Sequence, residues 1–276
     1  MTATARRTRR RWGQNFLVNR GALEAIVRLF RPDPDDIVLE IGPGRGALTR
    51  LVAGRVARLV AVEIDPDLAA DLEREFGGGT REARIVRGDV LEVDLDALLR
   101  EAGATAGRPA RVLANLPYNI AAAVLLRLIR HRGLLSDLLV MVQREVAARI
   151  ISPPGRRTYG GLSVLCQAHA RVDSVLRLRP GSFRPVPKVD SEMIRMTFSP
   201  QNESPDTEGL DRLLRAAFAS RRKTLLNNLE RLDGAGSEAA GRWIRNANLD
   251  PGMRPEQVPV AGYLALLGLR RTIIGA

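Results

Sequence analysis

Four consecutive residues, Asn115-Leu116-Pro117-Tyr118, combine side chains and backbone groups suited to holding a planar amine. The Asn115 side-chain amide offers a carbonyl oxygen as acceptor, and Pro117, which has no N–H, presents only its carbonyl. Tyr118 supplies a flat aromatic face on which a nucleobase can stack. Two acceptors that hold both N–H bonds of an exocyclic amine would turn its lone pair towards an electrophilic methyl group. The alternative interpretation is a proline turn in which Asn115 only caps a strand–helix junction.

A glycine-rich turn upstream predicts a second part of a ligand site. Residues 36–41 have the pattern of a buried strand, and the sequence Gly42-Pro-Gly-Arg-Gly46 leads from it into a helix that begins at Ala47. Glycines at such a turn allow the backbone to approach a ligand closely. Because the spacing is G-x-G-x-G rather than the G-x-G-x-x-G of dinucleotide-binding proteins, we do not expect a pyrophosphate here.

Acidic residues end or follow the next two strand-like runs. The first run ends in Glu63, 21 positions after Gly42, where a carboxylate binds ribose hydroxyls in this architecture. The second is followed by Asp89, whose carboxylate can accept a hydrogen bond from an adenine amino group. In open α/β sheets, ligands bind outside the carboxyl ends of the strands. The glycine turn, Glu63, Asp89 and Asn115 are therefore expected to form one site.

Strand-like and helical patterns alternate along the first half of the chain. The strand-like runs are 36–41, 59–63, 84–87, 111–114 and 138–143, and the helical patterns are 47–54, 66–76, 95–101 and 120–131. This alternation predicts an α/β fold, a Rossmann-like parallel sheet with helices on both faces. Two later runs, 174–178 and 192–198, are expected to form an antiparallel hairpin that closes the sheet.

Four segments are predicted along the chain. They are a basic N-terminal arm at 1–12, a catalytic domain at 13–199, a linker at 200–208 and a small C-terminal all-helical domain at 209–276. The linker prediction rests on a polar, proline-containing composition. The helical prediction rests on apolar residues that recur at three- and four-residue spacing.

Charge is distributed unevenly along the chain. The formal net charge is +12, from 43 basic and 31 acidic side chains. Residues 32–120 sum to −5, whereas residues 1–31, 121–190 and 191–276 sum to +7, +8 and +2. The part expected to bind a small ligand is therefore acidic and its flanks are basic, as binding to a polyanion requires. Five arginines within residues 6–11 predict an arm that lies along RNA phosphates, the alternative being a disordered tail.

Composition also argues against several kinds of protein and site. The chain has no run of ~18 apolar residues, and its arginine-rich start lacks the apolar segment of a secretory signal. Cys166 is the only cysteine, which excludes an internal disulfide and a multi-cysteine zinc site, and we expect it in the core. His131 and His169 are too far apart in sequence to indicate a metal pair, so no metal is expected.

Two further groups are candidates for contact with a nucleic acid. Phe183 lies in a loop stiffened by prolines, which suits a preorganised side chain. We predict that it stacks on a target base opposite Tyr118, the alternative being ordinary packing into the core. Arg221, Arg222 and Lys223 form a basic run that is predicted to contact RNA phosphates, the alternative being a solvated run of charge.

Ten short motifs occur in a fixed order between residues 13 and 228. They are Gly13–Leu17, Glu40–Gly44, Val62–Asp65, Gly88–Asp89, Asn115–Ile120, Gln143–Ala147, Tyr159–Gly160, Leu162–Val164, Pro187–Ser191 and Arg221–Thr224. With these motifs the chain resembles the ribosomal RNA adenine N6-dimethyltransferases, a family of S-adenosylmethionine-dependent enzymes, and is most similar to their bacterial small-subunit branch. Trp12, Gly161 and Val186 depart from the family pattern, and none of them belongs to the predicted chemistry.

The resemblance implies S-adenosyl-L-methionine as the cofactor and methyl donor. It implies cofactor contacts at Asn15, Leu17, Gly42, Gly44, Glu63, Asp89, Val90 and Asn115. Roles in catalysis or in holding the target base are expected at Asn115, Pro117, Tyr118 and Phe183. Together with the charge pattern, RNA contacts are expected at Arg9, Arg10, Arg11, Arg221, Arg222 and Lys223.

The implied function is methyl transfer to N6 of two adjacent adenines in the 3′-terminal hairpin loop of small-subunit (16S) rRNA, giving N6,N6-dimethyladenines during ribosome biogenesis. The expected partners are this rRNA and the pre-30S particle, and we expect a cytoplasmic monomer without membrane association. One alternative is the large-subunit (23S) rRNA branch that confers macrolide resistance, against which the sequence of residues 221–228 and the helical tail argue. The others are a DNA adenine methyltransferase and a mainly non-catalytic ribosome-assembly factor.

Overall fold

A computed structural model describes residues 14–77, 83–117, 120–198 and 205–273, without the side chains at 233 and 270–273. The strands are β1 Phe16–Leu17, β2 Ile37–Ile41, β3 Arg58–Glu63, β4 Arg84–Arg87, β5 Ala110–Asn115, β6 Leu135–Gln143, β7 Ala170–Leu178, β8 Phe183–Arg184 and β9 Ser191–Phe198. The helices are α1 Arg20–Phe30, α2 Thr49–Val52, α3 Pro66–Phe76, α4 Leu95–Glu101, α5 Ala121–Arg130, α6 Arg144–Ile150, α7 Gly161–His169, α8 Thr207–Ala217, α9 Leu225–Leu229, α10 Gly236–Asn246 and α11 Val260–Ile273.

Seven of these strands form one sheet in the order β4-β3-β2-β5-β6-β9-β7. Strands β2 to β6 pair in parallel with their neighbours in this order, and β9 runs antiparallel to β6. All five residues of β2 are buried, as is usual for a parallel strand whose sheet is covered on both faces. The predicted α/β fold is therefore confirmed, and all five strand-like runs in the first half of the chain are strands of this sheet.

The turns that follow the parallel strands are closed by local hydrogen bonds. The side chain of Asp65 accepts from the backbone N–H groups of Asp67 and Leu68 at 3.1 and 3.4 Å, which caps α3, and Pro66 occupies the first position of that helix. Asp94 caps α4 in the same way. These caps fix where each strand ends and each helix begins, and so where the residues between them lie.

The structure has one strand pair that the sequence did not predict. Strand β1 pairs with β8 in antiparallel register, with Phe16 opposite Arg184 and Leu17 opposite Phe183. The expected hairpin of the later runs corresponds to β7 and β9, which lie side by side at one edge of the sheet. The pair β1–β8 joins the amino-terminal segment to the loop that precedes β9.

The chain divides into two compact units. One contains the described residues up to 147 together with 173–198, and the other contains 148–172 together with the described residues from 205 onwards. The sequence-based boundaries placed 148–172 in the catalytic domain. Hydrogen bonds connect this segment to the helical unit instead. The Tyr159 hydroxyl donates to the Val258 carbonyl at 3.0 Å, and the Gly155 N–H donates to the Glu256 carbonyl at 2.7 Å.

The helical unit has its own aromatic core. The Trp243 indole donates to the Leu266 carbonyl at 2.9 Å, and the Tyr263 hydroxyl donates to the Pro255 carbonyl at 2.8 Å.

Cys166 in α7 is fully buried, as predicted, and burial raises the pKa of its thiol to about 12. Helix α8 begins at Thr207, within the predicted linker, and the predicted arm lies outside the described residues. No helix in the described ranges has the length and apolarity needed to cross a membrane.

Candidate active site

A cavity of about 240 Å³ lies at the carboxyl ends of the parallel strands, in the first unit. It is lined by eight of the site residues predicted from the sequence, namely Asn15, Gly42, Gly44, Glu63, Asp89, Val90, Asn115 and Pro117. The carboxyl ends of parallel strands meet at one edge of a sheet, and the structure brings these residues together there. Their roles towards a cofactor or substrate stay predictions.

The glycine turn after β2 needs backbone conformations that side chains disfavour. Gly42, Gly44 and Gly46 have φ angles of 68°, 59° and 74°. A Cβ added at Gly44 would lie 3.0 Å from the Phe16 ring, so the turn and the amino-terminal segment are in close contact. The Arg45 guanidinium lies over the same ring, 4.8 Å from its centroid. The turn therefore presents backbone, rather than side chains, to the cavity.

Glu63, the last residue of β3, holds the glycine turn in place. One carboxylate oxygen accepts from the Gly44 N–H at 2.9 Å, and the other accepts from the Asp65 N–H at 2.9 Å. Burial raises the pKa of this carboxyl above its usual value, which these two backbone bonds oppose. Each oxygen retains further acceptor capacity, so the carboxylate can accept hydroxyl groups from a ligand while it supports the turn.

Asn115, the last residue of β5, has a side-chain orientation fixed by a hydrogen bond. Its amide nitrogen donates to the Asn15 carbonyl at 3.1 Å. A backbone carbonyl only accepts, so the nitrogen must face it, and the amide oxygen is the atom that Asn115 can offer to an amine. The Pro117 carbonyl accepts from the Ile120 N–H at 3.2 Å and has a second lone pair for a ligand.

Asp89 and Val90 form the part of the cavity that follows β4. One Asp89 carboxylate oxygen accepts from the Leu91 N–H at 2.8 Å, which leaves the other oxygen to accept from a ligand. Val90 is 6% exposed, and Ile64 lines the same cavity. Ile64 was not predicted as a site residue, although it directly follows Glu63 within a motif that the sequence analysis identified.

Glu40 is a buried acidic residue that the sequence analysis did not select as a site residue. It lines a neighbouring cavity of about 180 Å³ that shares Phe16, Gly42, Gly44 and Asn115 with the first. Burial raises the pKa of the Glu40 carboxyl to about 7, and the negative charge of Glu63 contributes to the shift. One of its oxygens has no hydrogen-bond partner among the residues that the structure describes. Its position inside the Glu40–Gly44 motif was the available signal.

Two predicted site residues lie on β1 and β8. Leu17 is 6% exposed and lines the neighbouring cavity rather than the first. Phe183 has no exposed surface and packs in the hydrophobic core of this unit, where it lies opposite Leu17. Its ring does not line either cavity, so stacking on a base would require it to leave the core. Its burial favours the packing alternative, and the predicted stacking role stays a prediction.

The remaining candidates fall on other parts of the chain. Arg221, Arg222 and Lys223 are exposed and lie between α8 and α9 in the helical unit. The Arg221 guanidinium donates to the Tyr159 carbonyl at 2.8 Å, which gives this side chain a structural bond as well. Tyr118 and the arginines Arg9, Arg10 and Arg11 lie outside the described residues.

Comparisons with known proteins identify the family to which the chain is similar. The family model described as ribosomal RNA adenine dimethylase matches residues 5–267. The ribosomal RNA small subunit methyltransferase A of Geobacter metallireducens is 42% identical over 263 residues, covering 94% of each chain. The protein of the same name from Pseudomonas aeruginosa is 38% identical over 262 residues, covering 94% of this chain and 93% of the relative.

Two solved structures share the fold. A dimethyladenosine transferase from Plasmodium falciparum superposes with a TM-score of 0.76 at 23% identity, covering 93% of this chain and 98% of that one. The 23S rRNA methyltransferase ErmE has a TM-score of 0.65 at 23% identity, covering 92% and 98%. At this identity the likeness concerns the fold alone. Because the family model matches nearly the whole length of this chain, the chain belongs to the ribosomal RNA adenine dimethylase family.

Proposed function

We propose that this protein transfers methyl groups from S-adenosyl-L-methionine to N6 of two adjacent adenines in the 3′-terminal hairpin loop of small-subunit (16S) rRNA, during assembly of the small subunit. The observation that carries this proposal is the convergence of Asn115, Pro117, Glu63 and Asp89 on one cavity. Family membership and the names of relatives at 38–42% identity support the substrate.

The groups around the cavity fit S-adenosylmethionine. Two further acceptor positions on Glu63 suit the two ribose hydroxyls, and the second oxygen of Asp89 suits the adenine amino group. Val90 and Ile64 provide an apolar wall for the flat ring. The backbone of Gly42 and Gly44 allows close approach. When bound, this cofactor would supply a methyl group whose carbon is a good electrophile because it is attached to a positively charged sulfur. The sulfur would leave with the bonding electron pair, as the neutral thioether S-adenosylhomocysteine.

The protein's own contribution to the reaction is alignment. The Asn115 amide oxygen and the Pro117 carbonyl accept the two N–H bonds of the target amine, which leaves the nitrogen lone pair directed at the methyl carbon. The new N–C bond forms as the S–C bond breaks, and the methylated ammonium then loses a proton to solvent. No strong base is required. After the first transfer a single N–H remains, so one of the two acceptors holds the amine during the second.

Preorganisation of Asn115 makes this alignment effective. Its amide is already held by the Asn15 carbonyl, and the next residue is anchored by the Leu116 N–H, which donates to the Met141 carbonyl at 3.1 Å. A hydrogen-bonding group that does not have to reorganise during the reaction stabilises the transition state most strongly. The target adenine must be unstacked to reach these groups, which a hairpin loop permits and a regular A-form helix does not.

The basic segments supply the affinity for RNA in this proposal. Exposed Arg222 and Lys223, with Arg221 beside them, would bind phosphates through the helical unit, and the arginines of residues 6–11 would do so through the amino-terminal arm. We further propose that the protein acts as a monomer in the cytoplasm, on the pre-30S particle. The methylation of large-subunit rRNA is not favoured, because the relatives at about 40% identity are named for the small subunit.

Primer extension on small-subunit rRNA tests the proposed function, since dimethylated adenine blocks reverse transcriptase. We expect a stop at the adenine pair near the 3′ end that requires both the protein and S-adenosylmethionine. Asn115→Ala should lower the rate on the order of 10²-fold, as the loss of one preorganised hydrogen-bonding group does. Asn246→Ala, at the exposed end of α10, is the matched control and should leave the rate unchanged. No stops with the wild-type protein, or stops in large-subunit rRNA instead, would contradict the proposal.

A further inference from the structure

The turn after β4, residues Gly88–Val93, is held together by bonds that centre on Asp89. The N–H groups of Glu92 and Val93 both donate to the Asp89 carbonyl at 2.9 Å, while the Asp89 carboxylate accepts from Leu91. A Cβ added at Gly88 would lie 2.6 Å from a methyl group of Val93, so the turn closes tightly on itself. These bonds leave the carbonyls of Leu91 and Val93 as acceptors for groups outside the turn.

A single arginine of α5 occupies both of these carbonyls. The two terminal nitrogens of the half-buried Arg127 guanidinium donate to the carbonyls of Leu91 and Val93, one each. A guanidinium presents its N–H donors in a rigid fork, and a charged donor forms stronger hydrogen bonds than a neutral one. The Nε–H of Arg127 is buried and has no partner among the described residues, which carries a desolvation cost. The two bonds to the turn must offset this cost for the side chain to remain in this position.

Helix α5 directly follows a segment that lines the other side of the cavity. It begins at Ala121, a few residues after Asn115 and Pro117, and Ile120 lines the same cavity as they do. Arg127 lies less than two turns into this helix. The helix therefore links the segment with the predicted amine acceptors directly to the turn with Asp89 and Val90.

We propose that Arg127 is a positioning residue that fixes the Asp89 turn relative to the Asn115–Pro117 segment, and so sets the distance between the bound cofactor's adenine end and the target amine. This inference rests on the proposed function. Arg127 contacts neither ligand itself, because both of its terminal nitrogens are bound to backbone carbonyls. Methyl transfer is sensitive to such positioning, since a misplacement of about 1 Å can cost on the order of 10²-fold in rate.

The sequence alone gave no indication of this role. Arg127 is one of three arginines within residues 127–132, and only its partners in the structure distinguish it from a solvated charge. Arg130 lies on the same helix and is exposed, which makes it a matched control for loss of an arginine.

The test compares Arg127→Met, Arg127→Lys and Arg130→Met with the wild-type protein. Calorimetric titration with S-adenosylhomocysteine gives the dissociation constant, and rRNA methylation at saturating S-adenosylmethionine gives kcat. For Arg127→Met we expect both a dissociation constant and a kcat about tenfold worse than wild type. Arg127→Lys, which keeps the charge and one bond to the turn, should recover part of both losses. Arg130→Met should match the wild type.

The outcomes separate positioning from ordinary stabilisation and from failure of the proposed function. A dissociation constant and kcat within twofold of wild type, with only a lower melting temperature, would overturn the inference. If Arg127→Met does not fold, wild-type values for Arg127→Lys and Arg127→Gln would overturn it equally. Absence of rRNA methylation by the wild-type protein would refute the proposed function, while the titration still tests Arg127. A wild-type protein that does not bind S-adenosylhomocysteine would refute both the proposed function and the positioning role of Arg127.

Discussion

Strand β5 carries a polar side chain near each end, and the two ends of the sheet use such groups differently. Arg111 is its second residue and Asn115 its last. At the amino end, charged groups are bonded to one another and to backbone carbonyls. At the carboxyl end, polar groups are held in place but retain unused acceptor positions. The first arrangement is complete within the protein, whereas the second leaves acceptor positions that a ligand could use.

The amino end is a network centred on Arg111. Its guanidinium donates to the carboxylates of Asp36 and Asp137, each at 2.6 Å, and to the carbonyls of Phe30 and Arg31 at 2.5 and 3.0 Å. The guanidinium carbon also lies 4.2 Å from the centroid of the Phe30 ring. The side chain is 15% exposed, so this charge depends on its partners rather than on water.

The carboxyl end collects three carboxylates instead, those of Glu40, Glu63 and Asp89. Within the described part of the chain, none of them forms an ion pair. In the described ranges, Glu63 and Asp89 accept only backbone N–H groups, and one oxygen of Glu40 has no partner. Glu40 and Glu63 are buried, and burying acidic groups without cations is unfavourable for folding alone. This difference supports the proposal that polar groups at this end are held for a ligand.

The largest loss of stability is expected for a substitution in the complete network at the amino end. Arg111→Met should lower the free energy of unfolding by about 3 kcal/mol, because the largely desolvated Asp36 would lose its ion pair and Asp137 would keep only that with Arg195 among the described residues. Urea denaturation measures this change. Arg28→Met, at an exposed position of α1, is the control and should change stability by less than about 0.5 kcal/mol. An equally small change for Arg111→Met would show that the amino-end network does not support the fold.

Glu40 provides a pH-dependent test of the carboxyl end. Its folded-state pKa is raised from 4.5 to about 7, so its protonated form favours the fold. The stability present below pH 4.5 should be lost as the pH rises through 7, by roughly 3 kcal/mol in total. Glu40→Gln cannot ionise, so it should be more stable than wild type at pH 8 by about 1–3 kcal/mol, with little difference near pH 4.5.

The measurement for Glu40 is the difference in unfolding free energy between the variant and the wild type at each pH, so that other titrating groups cancel. Glu24→Gln, an exposed carboxyl paired with Arg20, should show no comparable trend. A Glu40→Gln difference that does not grow with pH would mean that this carboxyl is not destabilising in its charged form.

Phe183 tests whether every predicted residue near the carboxyl end serves a ligand. Its ring is fully buried, so Phe183→Leu should lower the free energy of unfolding by about 1 kcal/mol while methyl transfer per folded molecule stays within threefold of wild type. Melting curves and methylation assays on the same sample separate the two effects. Unchanged stability with methylation lowered roughly 5- to 150-fold would instead support stacking on the adenine.

The contrast between the two ends of the sheet also shows which residues could be predicted from the sequence and which could not. Glu63, Asp89 and Asn115 were found because each ends or follows a strand, and the ends of parallel strands meet by topology. Phe183 was predicted to be available because its loop is rich in proline, but its pairing with Leu17 depends on a strand of two residues that has no local pattern. The same limit applies to the partners of Arg111 and Arg127, which are set by tertiary contacts.

The predicted domain boundary fails to match the compact units for a related reason. The Pro153-Pro154-Gly155 stretch within residues 148–172 does not indicate which unit the segment joins, and contacts such as that between the Tyr159 hydroxyl and the Val258 carbonyl assign it to the helical unit. Composition and periodicity report local structure, whereas the unit to which a helix belongs is decided by the surface it packs against.

The most direct test of the difference between the two ends is the shift in melting temperature caused by S-adenosylmethionine. A ligand at about 100 times its Kd stabilises a protein by about 2.7 kcal/mol, which corresponds to a rise on the order of 5 to 10 °C for a chain of this size. We expect this shift in full for the wild type and for Arg111→Met, whose melting temperature is lower at the outset, and only a small fraction of it for Glu63→Ala. A full shift in Glu63→Ala, or its loss in Arg111→Met, would contradict the assignment of the carboxyl end to the ligand and the amino end to the fold.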